Sequence, residues 1–198
     1  MCFPIFAIDV IVGRLQRDYE GVPIGQYVIR PEPASEDDAH ALAEEDKHAF
    51  QDWALRKLGA AHAVHKKGAD KGVDGRMYYF EEIAGNDPKL IVVSVKGGKT
   101  GSGDVRNLVG AMAREKAALG VFVCRRKPTP AMQTEAAEVG SYLAPDRMIP
   151  KLQIVTVEDL FKDGPKIDLP FEAVAMPVSP DLIEPSLLGE HQEARRFE

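Results

Sequence analysis

Leu90–Val95 (LIVVSV) is an almost unbroken apolar run rich in β-branched residues, and Lys96 closes it. Such a run suits a strand covered on both faces, so it demands layers above and below. A second strand pattern, Met77–Glu82 (MYYFEE), precedes it, and GNDP at 85–88 supplies a turn between the two. The simplest pairing is an antiparallel hairpin. A helix signal follows from about Val105 to Leu119, with Gly120 as its stop. Then come a short apolar strand, Val121–Cys124, a helix over Thr129–Val139, a strand over Leu152–Val157 and a closing helix over Val157–Lys162. Upstream, Ser35-x-x-Asp38 is a capping-box pattern opening one helix to about Leu58. On it Asp46, Phe50, Trp53, Ala54 and Lys57 share a face, and Gly59 is the natural stop. This order predicts an α/β fold, a mixed central sheet flanked by helices. The expected division is an N-terminal extension over 1–38, one domain over 39–162 and a tail over 163–198. Within the extension, Gln26–Arg30 (QYVIR) reads as a short strand.

Composition narrows the function classes. No run of about 18 apolar residues is present, so no membrane span is expected. The apolar opening MCFPIFAIDVIV lacks a basic leader and a small-residue cleavage site, so it reads as a strand or docking segment. Two cysteines, Cys2 and Cys124, are too few for a disulfide framework or a cysteine-based zinc site, and they fit a reducing cytoplasm. His62 and His65 make an HxxH pair, a weak metal signal weighed against a loop-facing pair. The chain carries a net charge of −6, unevenly spread. Residues 62–127 carry +6, against −5 for 1–61 and −7 for 128–198. A basic middle in an acidic chain fits contact with a polyanion, with a solvated mixed surface as the plain alternative.

Hairpin pairing places the start of one strand beside the end of its partner. Asp74 precedes the first strand, while Ser94 and Lys96 end the second, so the three meet at one end of the sheet. Ser94 and Lys96 are two apart and point to one face; the carbonyl of Val95 remains available. A carboxylate there can hold a hard divalent cation completed by oxygen ligands and water. The cation would polarise a water and neutralise phosphate charge, and a neighbouring ammonium would stabilise the transition state. Snorkelling of Lys96 to solvent is the competing explanation.

GADKGVDG (68–75), the hairpin and SVKGG (94–98) resemble the nuclease core of the PD-(D/E)XK restriction endonucleases, most nearly the Mrr-like branch. AFQDWALRKLGA, KKGADKGVDG and VVSVKGG also resemble the nuclease-like C-terminal domain of some bacterial DNA methyltransferases. The likeness covers about residues 40–160. It implies a restriction-endonuclease-like core and a DNA endonuclease using Mg²⁺ or Mn²⁺, with in-line attack by water and a 3′ oxygen leaving group. Asp74 matches the metal-binding aspartate and Lys96 the motif lysine. Asp74, Ser94 and the Val95 carbonyl would form the metal site, and Asp74, Ser94 and Lys96 the catalytic set. Two positions depart from the pattern: Ser94 stands where the families carry Glu or Gln, and Gln51 follows Phe50 where they carry Glu. Asp70, or Glu44 or Glu45 two turns before Gln51, are candidate compensating acids.

GGKTGSGD (97–104) contains GKT, but a P-loop needs a glycine where Val93 stands, so triphosphate binding is rejected. Lys99 and Arg125, Arg126 and Lys127 are candidate DNA-backbone contacts, weighed against solvated loops. No helix-turn-helix or zinc-finger pattern is visible. The expected partners are DNA, a second copy in a homodimer, and a methyltransferase partner or parent chain. Three readings stand: a metal-dependent endonuclease, an inactive DNA-binding or interaction module, and a scaffold with no nucleic-acid role.

Overall fold

The structure is a computed structural model that describes residues 32–62, 72–79, 88–143 and 147–170. The strand expected at 26–30, the turn at 85–87, Cys2, His65, Asp70 and the tail beyond 170 lie outside the described residues. The chain divides into two units, Met1–Glu32 and Pro33–Glu198, and all described elements belong to the second.

Helix α1 (Glu36–Glu45) opens as the sequence suggests. The Ser35 hydroxyl accepts from the Asp38 N–H, and the Asp38 carboxylate accepts from the Ser35 N–H. The expected single helix to Leu58 is two. Asp46 is extended (φ −146°, ψ 98°), and its carboxylate accepts from the N–H groups of His48 and Ala49. A side chain that can satisfy two orphan donors starts a new helix more favourably than it continues an old one. Helix α2 (Lys47–Leu58) then ends at Gly59, whose φ of 72° needs no Cβ.

Five strands form the sheet in the order β1-β2-β3-β4-β7. These are β1 (Ala61–His62), β2 (Gly75–Tyr79), β3 (Lys89–Lys96), β4 (Leu119–Cys124) and β7 (Leu152–Thr156). β1–β2 and β2–β3 are antiparallel; β3–β4 and β4–β7 are parallel. The expected hairpin is present, with Gly75 opposite Val93 and Tyr79 opposite Lys89. Helix α3 (Ser102–Glu115) carries the chain from β3 to β4, and α4 (Pro130–Glu138) stands between β4 and β7. The mixed sheet flanked by helices is as expected.

Two details differ. Helix α3 stops at Lys116, which adopts the left-handed conformation (φ 54°), and Gly120 lies inside β4. Its glycine answers a packing demand: an added Cβ would fall 2.4 Å from the Met112 sulfur. A hairpin of β5 (Ser141–Leu143) and β6 (Met148–Pro150) also precedes β7. Its short strands carry no alternation long enough to stand out from a loop.

Both sheet faces are covered, as the β3 composition requires. On one face Ile91, Val93, Val95, Val121 and Val123 pack with Ala39 and Ala43 of α1 and Phe50, Trp53 and Leu55 of α2. Leu160 of helix α5 (Val157–Phe161) joins them, and Trp53 stacks between Phe50 and Phe161 at centroid distances of 5.7 and 5.6 Å. On the other face Val92, Phe122 and Cys124 pack with Val105, Leu108 and Met112 of α3 and Met132 of α4. Removing the Asp46 cap is expected to matter at the α1–α2 break. Asp46→Ala should cost about 1 kcal/mol, read as a lower urea midpoint with an unchanged slope. An unchanged midpoint would show that the break owes nothing to the cap.

Candidate functional site

Strand alternation sorts the residues at the carboxyl end of β3. Val93 and Val95 face α1 and α2, so Ser94 and Lys96 face the α3 side with Val92. Antiparallel register carries Asp74, one residue before β2, to the same place. The Asp74 N–H donates to the Val93 carbonyl at 2.8 Å. The three residues singled out in the sequence therefore meet.

Their geometry is specific. Asp74 Oδ2 accepts from the Val95 N–H at 2.7 Å and from the Ser94 hydroxyl at 3.2 Å. The Lys96 ammonium lies 3.7 Å from the same oxygen. Ser94 is buried, at 2% exposure, so its hydroxyl has little alternative to Asp74. Asp74 and Lys96 are partly exposed, 18% and 37% in their side chains, so their ion pair contributes only about 0–1 kcal/mol. One carboxylate oxygen thus accepts two hydrogen bonds beside one ion pair and stitches the start of β2 to the end of β3.

A hard divalent cation requires anionic or carbonyl oxygens converging on one point. Among the described residues the donor set falls short of one. It offers a single carboxylate, Asp74, whose Oδ2 accepts two hydrogen bonds, and the serine presents a proton to that oxygen. A resident ammonium stands beside it. Among the described residues no group of three or more His, Cys, Asp or Glu side chains could hold a metal ion.

The remaining candidates are dispersed. Gln51 is half-buried on α2, and Glu45 is exposed at the end of α1. Lys99, Arg126 and Lys127 are exposed in the loops after β3 and β4, at the same end of the sheet. Arg125 is not offered to solvent. Its side chain is 13% exposed, and its guanidinium donates to Glu44 at 2.5 Å. Sequence reasoning missed this pair, because 81 residues separate its members and only the fold joins them. Two further cations of the basic middle are paired within the chain: Arg76 with Glu115 at 3.0 Å, and the exposed Arg106 with Glu135 at 2.8 Å. Cys124 is buried. Desolvation, with the nearby Asp159 charge adding to it, pushes its thiol up to about 11. It is therefore neither a ready nucleophile nor a ready ligand at neutral pH.

A mixed sheet with Asp, Ser and Lys gathered where β2 begins and β3 ends defines a nuclease-like α/β core. Residues 47–162 match the family model of the NACHT-associated inactive Restriction Endonuclease 1. That is more than half of the chain, and the chain belongs to this family. The restriction-endonuclease-like expectation is thus met at the level of fold; the matching family is not named as Mrr-like. Among solved structures the chain is similar to the MspJI restriction endonuclease in complex with a 27-mer oligonucleotide, at a TM-score of 0.45 and 16% identity. The likeness covers 68% of this chain and 34% of that one, so the chain matches about a third of the enzyme's length. No curated protein matches the chain.

Loss of the Asp74 carboxylate should show as instability. Asp74→Ala leaves the buried Ser94 hydroxyl and the Val95 N–H without their acceptor, at a cost of about 1–3 kcal/mol. Asp74→Asn keeps an acceptor oxygen and should lose less. Equal urea midpoints for wild type and Asp74→Ala would refute the stitching role.

Proposed function

We propose that this chain is a nuclease-fold module that binds DNA and does not cut it. One observation carries the reading. The described strand end offers one carboxylate, Asp74, whose Oδ2 already accepts from the Val95 N–H and the Ser94 hydroxyl and lies 3.7 Å from the Lys96 ammonium. In-line hydrolysis of a phosphodiester draws much of its rate from a cation that polarises water and offsets developing charge. With serine at 94 and glutamine at 51, the described residues supply one carboxylate where that chemistry calls for more.

What the strand end retains is positive charge. Lys99, Arg126 and Lys127 are exposed around the carboxyl ends of β3 and β4. Contacts from such side chains neutralise backbone phosphates without reading sequence. This accords with a basic middle segment in an acidic chain. The family's description as inactive and as associated with NACHT supports a binding partner role over a cleaving one. We take a NACHT protein, in place of the methyltransferase that the resemblance implied, as the partner for this chain.

The endonuclease reading is favoured by one observation, the gathering of Asp74, Ser94 and Lys96, and the same experiment decides between the two. Plasmid, methylated or not, is incubated with the protein and Mg²⁺ or Mn²⁺, and binding of a labelled duplex is followed across salt concentration. The expected result is salt-sensitive binding with intact plasmid. Arg126→Ala and Lys127→Ala should each flatten the slope of log K against log salt by about 0.9. Cutting that Asp74→Ala or Lys96→Ala abolishes would establish the nuclease instead. Cutting abolished by Asp70→Ala would show that the acid missing at 94 is supplied by Asp70. Absence of salt-sensitive binding would refute DNA as the partner.

A further inference from the structure

We infer that α1 is a built-in competitor for the basic end of the sheet, with Glu44 holding Arg125 away from DNA phosphate. The inference rests on the DNA-binding reading and adds to it a device that limits binding.

Helix α1 is strongly acidic. Glu36–Glu45 contains Glu36, Asp37, Asp38, Glu44 and Glu45 and no lysine or arginine, and all five acids are exposed. A charged helix face alone would be an ordinary solvated surface. Two further observations give this one a target. The first is its seat. Gly97 directly follows Lys96, and a Cβ added there would lie 3.4 Å from the Ala43 Cβ, 3.5 Å from the Ala43 carbonyl oxygen and 3.1 Å from Phe50. The last turn of α1 is therefore packed against the chain where β3 ends, and Ala39 and Ala43 anchor it at 0% and 1% exposure. The second is the ion pair itself. Cys124 is opposite Lys96 in the β3–β4 register, so Arg125 leaves the sheet beside that same end. Its side chain is 13% exposed, while that of Glu44 is 66% exposed.

The asymmetry in exposure is informative. Arg125 lies beneath and Glu44 is the outer partner, positioned on the solvent side where an approaching phosphate would arrive. A carboxylate offers a guanidinium the same oxygen geometry that a phosphate does. While Glu44 occupies Arg125, the chain presents Arg126 and Lys127 alone from this loop. When Glu44 is displaced, Arg125 adds a third cation to the run. Helix α1 also precedes the segment matched by the family, which begins at residue 47.

The experiment measures binding of a labelled DNA duplex by wild type, Glu44→Gln, Glu45→Gln, Arg125→Ala and the double variant Glu44→Gln/Arg125→Ala. Thermal melts check that each is folded. Freeing one phosphate contact should steepen the salt slope of Glu44→Gln by about 0.9 and tighten binding about 3- to 10-fold at low salt. Glu45→Gln makes the same charge change without touching Arg125 and should move neither quantity comparably. Arg125→Ala should weaken binding little alone and reverse the gain in the Glu44→Gln background. Glu44→Ala serves as a second variant and should behave as Glu44→Gln does. If wild type binds DNA and Glu44→Gln binds no better, or no better than Glu45→Gln, the competitor is refuted while DNA binding stands. If neither wild type nor any variant binds, the DNA-binding reading fails and the competitor with it.

Discussion

The antiparallel pairing of β2 with β3, closed at its end by Asp74, is the constraint on which the site depends. Register sets Gly75 opposite Val93, and from that one alignment Asp74 falls beside Ser94 and the Val95 amide. A slip of one residue would turn Ser94 and Lys96 to the α1–α2 face and carry Val93 and Val95 to the α3 side. The carboxylate that receives both donors also reinforces this alignment. The residues that resemble a catalytic set thus have a demonstrable structural task, which accounts for their presence without requiring hydrolysis.

That task explains why fold and chemistry can separate. A buried serine hydroxyl needs an acceptor, an aspartate beside it supplies one, and a lysine at the strand end offsets the aspartate's charge. One oxygen of the carboxylate is thus engaged from within the protein. A catalytic metal centre is the opposite case, because its carboxylates are left to be satisfied by the ion. On the proposed reading, the exposed cations at this end of the sheet meet a polyanion, and the acidic α1 beside them opposes it.

Much of this was legible in the sequence where local patterns were long. The apolar run at 90–95 fixed a central strand because only a doubly covered position tolerates it. The two-residue periodicity then put Ser94 and Lys96 on one side. Less was legible where local preferences conflict or where distance intervenes. The charged, helix-favouring stretch around Asp46 hid the break between α1 and α2, because a cap and an interior aspartate look alike until the backbone is known. Gly120 resembled a helix stop, yet Lys116 performs that role and Gly120 makes room for Met112. The Glu44–Arg125 pair has no local signature at all. Nor could the sequence reveal that Asp74 Oδ2 would be filled by hydrogen-bond donors, since the same residues in the same order would suit an open metal site.

A Mn²⁺ titration of isotope-labelled wild-type protein followed by amide NMR asks whether Asp74 takes a divalent cation. If, as proposed, it takes none, no saturable paramagnetic broadening will centre on residues 72–74 and 94–96. Saturable broadening there that Asp74→Asn removes would contradict it, and would reopen the case for hydrolysis.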